Sequence, residues 1–140
     1  MISGEPSMKK KKARMIIVLT IIVVVLLGIW GAMAYLQTNL ERLSDVTIEK
    51  VDLSKINDGI YEGSYKSFPV AAVVNVTISN HAITEIELVK HSNGQGKAAE
   101  IIPGKVVKAQ SMEVDIVSGA TYSSKVILKA IEDALMRTNK

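Results

Sequence analysis

The sequence predicts an α+β protein in which a small antiparallel sheet with a C-terminal helix follows one N-terminal transmembrane helix. Three patterns support this fold class. Residues 15–36 form an uncharged apolar run, apolar and polar residues alternate over residues 74–78 and 85–88, and apolar residues recur every three to four positions after residue 122. Strict alternation is typical of a half-buried strand, and the longer period is typical of an amphipathic helix.

The apolar run MIIVLTIIVVVLLGIWGAMAYL, residues 15–36, is long enough to cross a membrane. As a helix it would span about 33 Å, against a hydrocarbon core of about 30 Å. The basic stretch KKKKAR precedes it at residues 9–14, and basic flanks remain cytoplasmic. We therefore expect a single-pass protein of the cell membrane. Residues 1–14 would be a cytoplasmic tail, and everything after residue 36 would be extracytoplasmic.

A cleaved signal peptide is the alternative interpretation of the same segment. Ala32, Met33 and Ala34 form an A-x-A cleavage pattern after a basic start. The apolar run is longer than the roughly 7–15 residues that are usual for such a peptide, which favours an uncleaved anchor. In both interpretations the same domain is exported.

Charge and composition exclude several classes of function. The pI is about 9.1, but the excess of positive charge lies at residues 9–14, and the chain after residue 14 has 12 basic and 13 acidic residues. A nearly neutral exported part lacks the basic surface of a nucleic-acid-binding protein, so no nucleic acid partner is expected. There is no cysteine, and His81 and His91 are the only histidines, so neither disulfides nor a dedicated metal site is expected. A redox role would then require an organic cofactor.

The first elements after the anchor are a spacer and a sheet. Residues 37–57 are interpreted as a helical extension of the anchor followed by a spacer, and residues 58–140 as the compact domain. The segments VVNVTI (residues 73–78) and ITEIELVK (residues 83–90) alternate apolar and polar side chains. The turn-forming residues 79–81 between them predict an antiparallel pair.

The second half of the domain is predicted to be mainly helical. After the glycine-containing loop at residues 91–100, a short helix is expected from Pro103 through Gln110, and residues 114–117 suit a further strand. A final helix begins near Tyr122. Its expected apolar face comprises Val126, Ile127, Ala130, Ile131, Ala134 and Leu135. Its expected polar face comprises Lys125, Lys129, Glu132 and Asp133.

The stretch DIVSGATYSS, residues 115–124, puts Thr121 at or just before the start of this last helix. Two interpretations of Thr121 follow. A threonine before an apolar-periodic run is normally a helix N-cap. It is also an accessible hydroxyl after the small residues Gly119 and Ala120, beside unpaired helix amides that stabilise a phosphate.

A resemblance to a known family favours the second interpretation. The motif D-x-x-S-G-A-T-x-S at residues 115–123 resembles the flavinylation motif of FMN-binding domains. That family includes subunits of sodium-translocating NADH:quinone reductases and Rnf-type complexes. The likeness extends from D-G-x-Y-x-G at residues 58–63, through the two strands and His91 before the glycine-containing loop, to the closing helix.

The resemblance implies a covalent cofactor. In this family a separate exported flavin transferase joins FMN through its phosphate to the motif threonine, so Thr121 would be the acceptor of a phosphoester-linked FMN. The other expected cofactor-binding residues are Asp115, Ser118, Gly119, Ala120, Tyr122, Ser123, His91, Gly94 and Gly96. No catalytic residue is expected. His91 taken alone is typical of a surface residue at a strand end, and Tyr61 and Tyr65 are expected in the core or at its rim.

Three hypotheses of function follow. The first is an electron-transfer flavoprotein, rather than a self-contained enzyme, that relays electrons from a membrane dehydrogenase or the quinone pool to an extracytoplasmic acceptor. The second is an FMN-binding or sensory module that passes no electrons. The third is a hydrolase that uses Ser118 or Ser123 with a histidine and Asp115. The sequence has no G-x-S-x-G elbow for that chemistry, and the resemblance favours the first hypothesis.

Overall fold

The fold is taken from a computed structural model, which describes residues 7–44, 46–92 and 96–137. The chain divides after Thr38 into two compact units. The first unit is helical and contains the apolar run. The second is a compact domain that contains the sheet and the other helices, and each unit is considered by itself.

Helix α1 runs from Ser7 to Ser44. The stretch Lys10–Thr38 is long and apolar enough to cross a membrane, with a mean hydropathy of 2.9 and no burial against other parts of the protein. The Thr20 hydroxyl donates to the Ile16 carbonyl oxygen at 2.8 Å, so this polar group is satisfied within the helix. The predicted N-terminal apolar helix and its helical extension are therefore confirmed.

The domain is built on a three-stranded antiparallel sheet in the order β1-β2-β3, which confirms the predicted small antiparallel sheet. Strand β1 is Gly59–Ser67, β2 is Val70–Ser79 and β3 is Ala82–Ser92. Side chains along β2 alternate between buried and half-buried, which gives the sheet one inner face. The β2–β3 turn uses Asn80 and His81 with φ values of 52° and 59°.

Two helices pack on the sheet. Helix α3 (Thr121–Met136) packs against β1 and β2, and α2 (Ile102–Ala109) packs against β3 and α3. Pro103 lies in the first turn of α2, where its missing N–H removes no helix hydrogen bond, and Gln110 ends the helix with a φ of 51°. All residues of the predicted apolar face of α3 are buried, namely Val126, Ile127, Ala130, Ile131, Ala134 and Leu135.

Helix α3 lies very close to the sheet at Gly63. A Cβ atom on Gly63 would overlap the Ala130 carbonyl oxygen and the Ala134 amide nitrogen, and it would lie 2.7 Å from the Ala134 Cβ. The next residue, Ser64, donates its N–H to the Asp133 carboxylate at 2.9 Å. The absence of a side chain at Gly63 therefore sets the distance between helix and strand.

The further strand predicted at residues 114–117 does not form. The Val114 N–H donates to the Met112 carbonyl oxygen at 2.9 Å, and the Val117 N–H donates to the Ser124 hydroxyl at 3.1 Å. These local and side-chain hydrogen bonds replace a strand ladder. The apolar pattern has another cause, because Val114 and Val117 pack against the core from an irregular segment.

Residues 46–56, expected to act only as a spacer, pack against the domain. Ile56 is buried in the core, and Val46, Ile48, Val51 and Leu53 are partly buried against it. The alternation of apolar and charged residues in this segment therefore reflects a half-buried strap. We use the word strap for residues 46–56 below.

Glu132 was predicted on the polar face of α3, and this prediction is wrong. Its side chain is only 3% exposed, pairs with the Lys129 ammonium, and accepts the Glu49 N–H at 2.9 Å. A buried carboxylate is tolerated when it is paired and hydrogen-bonded. Lys129 lies in the preceding turn of the helix, but Glu49 lies 83 residues earlier in the chain. Helix periodicity contains no information about a partner so distant in sequence.

Candidate functional site

The predicted site residues gather at one end of the domain. Ser67 pairs with Val70 where β1 turns into β2, and Ala72 pairs with His91 near the end of β3. The Tyr122 hydroxyl lies 2.8 Å from the Ser67 hydroxyl. The β1–β2 hairpin tip, the end of β3 and the start of α3 therefore lie at the same end of the sheet.

Thr121 is the first residue of α3, and its side chain is exposed. The predicted position at the helix N-terminus is confirmed, but the N-cap is Ala120, which provides no side-chain hydrogen bond. The first turn of α3 contains no acidic residue. The start of this helix therefore lacks both a side-chain cap and a negative charge, the two features that usually satisfy its amides and dipole.

The segment before Thr121 is held in place by backbone turns and one buried hydroxyl. Gly119 has a φ of +79°, a left-handed conformation that favours glycine, and its position for a Cβ is open space. The Ala120 N–H donates to the Val117 carbonyl oxygen at 3.0 Å. The buried Ser124 hydroxyl donates to the Ala120 carbonyl oxygen at 2.8 Å and accepts from the Val117 N–H at 3.1 Å.

We expect Ser124→Ala to destabilise the domain by about 1–3 kcal/mol, because it leaves the partly buried Val117 N–H without its acceptor. Urea denaturation of the full chain in detergent, followed by circular dichroism, would measure the loss. Ser118→Ala is the matched control, since Ser118 is exposed and its loss should change stability by less than about 0.5 kcal/mol. Equal effects of the two substitutions would contradict this role of Ser124.

Tyr122 braces the start of α3 against the β1–β2 hairpin. Its hydroxyl lies 3.1 Å from the Ser67 carbonyl oxygen and 3.0 Å from the Phe68 carbonyl oxygen. The ring is partly buried against the core. Tyr122 thus fixes the distance between the hairpin tip and the start of α3.

His91 is not the surface residue that its place at a strand end suggests. Its side chain is 2% exposed, with Nδ1 3.2 Å from the Glu100 carboxylate. The Nε2 atom is buried and has no hydrogen-bond partner among the described residues. Such an orphaned polar atom is destabilising by about 1–3 kcal/mol unless a group outside the described residues satisfies it.

The remaining predicted residues contribute unequally. Gly96 is buried just before the short 3-10 turn Lys97–Ile101, whereas Gly94 lies outside the described residues. Ser123 is buried inside the first turn of α3. The Asp115 side chain is exposed, and its backbone carbonyl oxygen accepts the Lys105 ammonium at 3.0 Å.

The arrangement does not favour hydrolysis. His91 contacts Glu100, and the His81 Nδ1 contacts the Ile56 carbonyl oxygen at 3.1 Å, so the hydrogen bonds of both imidazoles lie elsewhere than at Ser118 or Ser123. Within the described residues, no group of three or more His, Cys, Asp or Glu side chains could hold a metal ion. Among the described residues of this end, neither a serine–histidine pair nor a metal centre is assembled.

Three residues of this end were missed by the sequence reasoning. Ser67 and Phe68 form the hairpin tip, and Glu100 contacts His91 from the 3-10 turn. Phe68 is the only phenylalanine in the chain and stands before Pro69, which is a signal for a turn. No local pattern indicates Glu100, because its partner lies nine residues earlier on a strand.

These features define a class of protein: a small α+β domain that presents a hydroxyl at an uncapped helix start, the kind of position that holds a phosphate group. Residues 69–136 match the model of the FMN-binding domain family. This part of the chain, from Pro69 to Met136, belongs to that family, and the match supports a flavoprotein.

Two relatives show the same similarity. An uncharacterized protein of Treponema pallidum (strain Nichols) is 32% identical over 104 residues, which cover 72% of this chain and 29% of that protein. An NADH:acrylate oxidoreductase of Vibrio harveyi is 32% identical over 84 residues, which cover 58% of this chain and 8% of that protein. The chain therefore spans less than a third of either relative.

Proposed function

We propose that this chain is a membrane-anchored electron carrier with FMN joined to Thr121 through a phosphoester. The observation that supports this most is the uncapped start of α3, where an exposed threonine hydroxyl adjoins the first helix amides. A phosphate attached there would accept hydrogen bonds from these amides and meet the positive end of the helix dipole. The position for a Cβ on Gly119 is open space, which leaves room for it.

The residues of this end fit the cofactor in two further respects. The orphaned Nε2 of His91 is an unsatisfied polar atom at the same end of the sheet. The segment before Thr121 is fixed by Ser124, so the backbone that leads to the acceptor is held in place before modification. FMN supplies one- and two-electron redox chemistry, and the protein holds and orients it.

The membrane location and the partners follow from the same proposal. A separate exported flavin transferase would form the phosphoester, and the basic residues 9–14 would keep the N-terminus in the cytoplasm. A membrane dehydrogenase or the quinone pool would donate electrons, and an extracytoplasmic redox protein or compound would accept them. Covalent attachment suits a compartment in which a dissociated cofactor would be diluted and lost.

An FMN-binding or sensory module without electron transfer is the second candidate. The carrier and the module differ in the rate of electron transfer to an external acceptor, because only a carrier must pass electrons on. If reduced native membranes lose their reduction of external acceptors when Thr121 is replaced, the module is excluded. An unchanged rate would favour it.

Intact mass spectrometry of the protein purified from its native membrane tests the proposal. We expect a mass increased by FMN less water, on a polypeptide that retains residues 1–34. Native protein without the added mass would refute the attachment. A polypeptide that begins after Ala34 would refute the anchor and leave the attachment unaffected.

A further inference from the structure

Phe68 lies at the tip of the β1–β2 hairpin with 59% of its surface exposed. The other aromatic rings of the domain, Tyr61, Tyr65 and Tyr122, are partly buried and pack against the core. One exposed apolar side chain needs no functional explanation by itself. Phe68 is of interest because it lies beside the start of α3, where Thr121 is located.

The hairpin tip is fixed to α3 through a single phenol. The Tyr122 hydroxyl is shared between the Phe68 carbonyl oxygen at 3.0 Å and the Ser67 carbonyl oxygen at 3.1 Å, and the Ser67 hydroxyl lies 2.8 Å from it. Three contacts on one atom hold the turn in place. The Phe68 ring is therefore exposed to solvent while its backbone is anchored.

We propose that the Phe68 ring is the apolar surface on which the isoalloxazine of the flavin packs. This inference rests on the proposed attachment at Thr121. Thr121 directly precedes Tyr122, and the Tyr122 side chain already spans the gap to the hairpin tip. The ribityl phosphate arm of FMN is longer than a tyrosine side chain, so a flavin attached at Thr121 reaches Phe68.

The chemistry of the two rings is complementary. Offset packing of planar aromatic groups, with centroids about 4.5–7 Å apart, adds about 0.5–1.5 kcal/mol to the gain from burying their apolar area. Phe68 has no polar group of its own to satisfy, so it provides contact area without altering the protonation of the flavin. One face of the isoalloxazine would be covered, and an edge would remain open for electron exchange.

Ile116 is the competing apolar surface. It is 41% exposed and lies in the irregular segment that leads to Thr121. It is aliphatic, and within the described residues no side-chain hydrogen bond fixes residue 116 as Tyr122 fixes the hairpin tip. Phe68 is therefore the better platform, and Ile116 serves as the alternative in the test.

A tryptophan reporter distinguishes the two positions. Full-length Phe68→Trp, coexpressed with flavin transferase, is first shown by intact mass to carry FMN. Indole quenches flavin fluorescence on contact, so we expect the flavin emission to fall about threefold or more relative to the wild type, because stacking brings the rings within about 4.5–7 Å. Ile60→Trp is the matched control, since Ile60 is 71% exposed on β1 near the opposite end of the sheet.

The outcomes separate this inference from the proposed function. Quenching in Phe68→Trp, with the emission of Ile60→Trp unchanged, supports the platform. Quenching in Ile116→Trp instead, or equal emission from all flavinylated variants, overturns it while the attachment stands. Phe68→Ala gives a second readout, since iodide should quench its uncovered flavin about twofold more efficiently than that of the wild type. Absence of the FMN mass from the wild type is a failure of the proposed function.

Discussion

Thr121→Val is expected to abolish covalent FMN incorporation completely. Valine keeps the shape of threonine but removes the hydroxyl oxygen that forms the phosphoester. Because residue 121 is exposed at the start of α3 and makes no capping hydrogen bond, the fold should remain intact. After coexpression with flavin transferase, the wild type should fluoresce in a denaturing gel, and Thr121→Val should be colourless and lack the added mass.

Two control variants define the acceptor. Thr121→Ser retains a hydroxyl at the same position and should restore the flavin signal at least in part. Ser118→Ala removes a nearby exposed hydroxyl and should retain the signal. Full incorporation of FMN into Thr121→Val would show that another side chain is the acceptor, and a signal lost only in Ser118→Ala would identify it.

Gly63→Ala is expected to destabilise the domain by about 3 kcal/mol or more, at the upper end of overpacking effects. The added methyl group would overlap the Ala130 carbonyl oxygen and the Ala134 amide nitrogen. These are backbone atoms inside α3, so relief requires the whole helix to move away from β1. Urea denaturation of the full chain in detergent, followed by circular dichroism, measures the effect.

Gly104→Ala is the matched control for this substitution. A Cβ on Gly104, within α2, meets no atom within 4 Å, and alanine is favoured over glycine in helices by about 0.5–1 kcal/mol. The same chemical change should therefore stabilise at residue 104 and destabilise at residue 63. A change of the same sign and size at both positions would contradict the close approach of α3 to β1.

Elements with a clear period were predictable from the sequence. The alternation in VVNVTI and ITEIELVK predicted β2 and β3, and the spacing of apolar residues after Tyr122 predicted α3 and its buried face. The helix start at Thr121 was also predictable, because small residues separate it from the preceding apolar segment. In each case the local pattern and the tertiary packing require the same side chains to be buried.

Features that depend on partners distant in sequence were not predictable. Residues 114–117 have the composition of a strand, but the Val117 N–H donates to the Ser124 hydroxyl instead of to a neighbouring strand. Glu132 is buried because the strap supplies a hydrogen bond to its carboxylate. Ala120 as the N-cap is unfavourable on propensity alone. The position of His91 at a strand end is typical of a surface residue, and its burial beside Glu100 depends on how the chain folds after the strand. The close contact at Gly63 follows from the path of α3, which one-dimensional spacing does not specify.

The hydrogen bond between Glu49 and Glu132 has a consequence for how this domain can be used. It joins the strap, through which the chain enters the domain, to the C-terminal half of α3, so the entry of the domain and its last helix lie close together. A fold with adjacent ends can be inserted between unrelated neighbours without interrupting any of its own elements. The domain can therefore be inserted into larger proteins as a unit. This agrees with the two relatives, in which the matched region is 29% or 8% of a longer polypeptide.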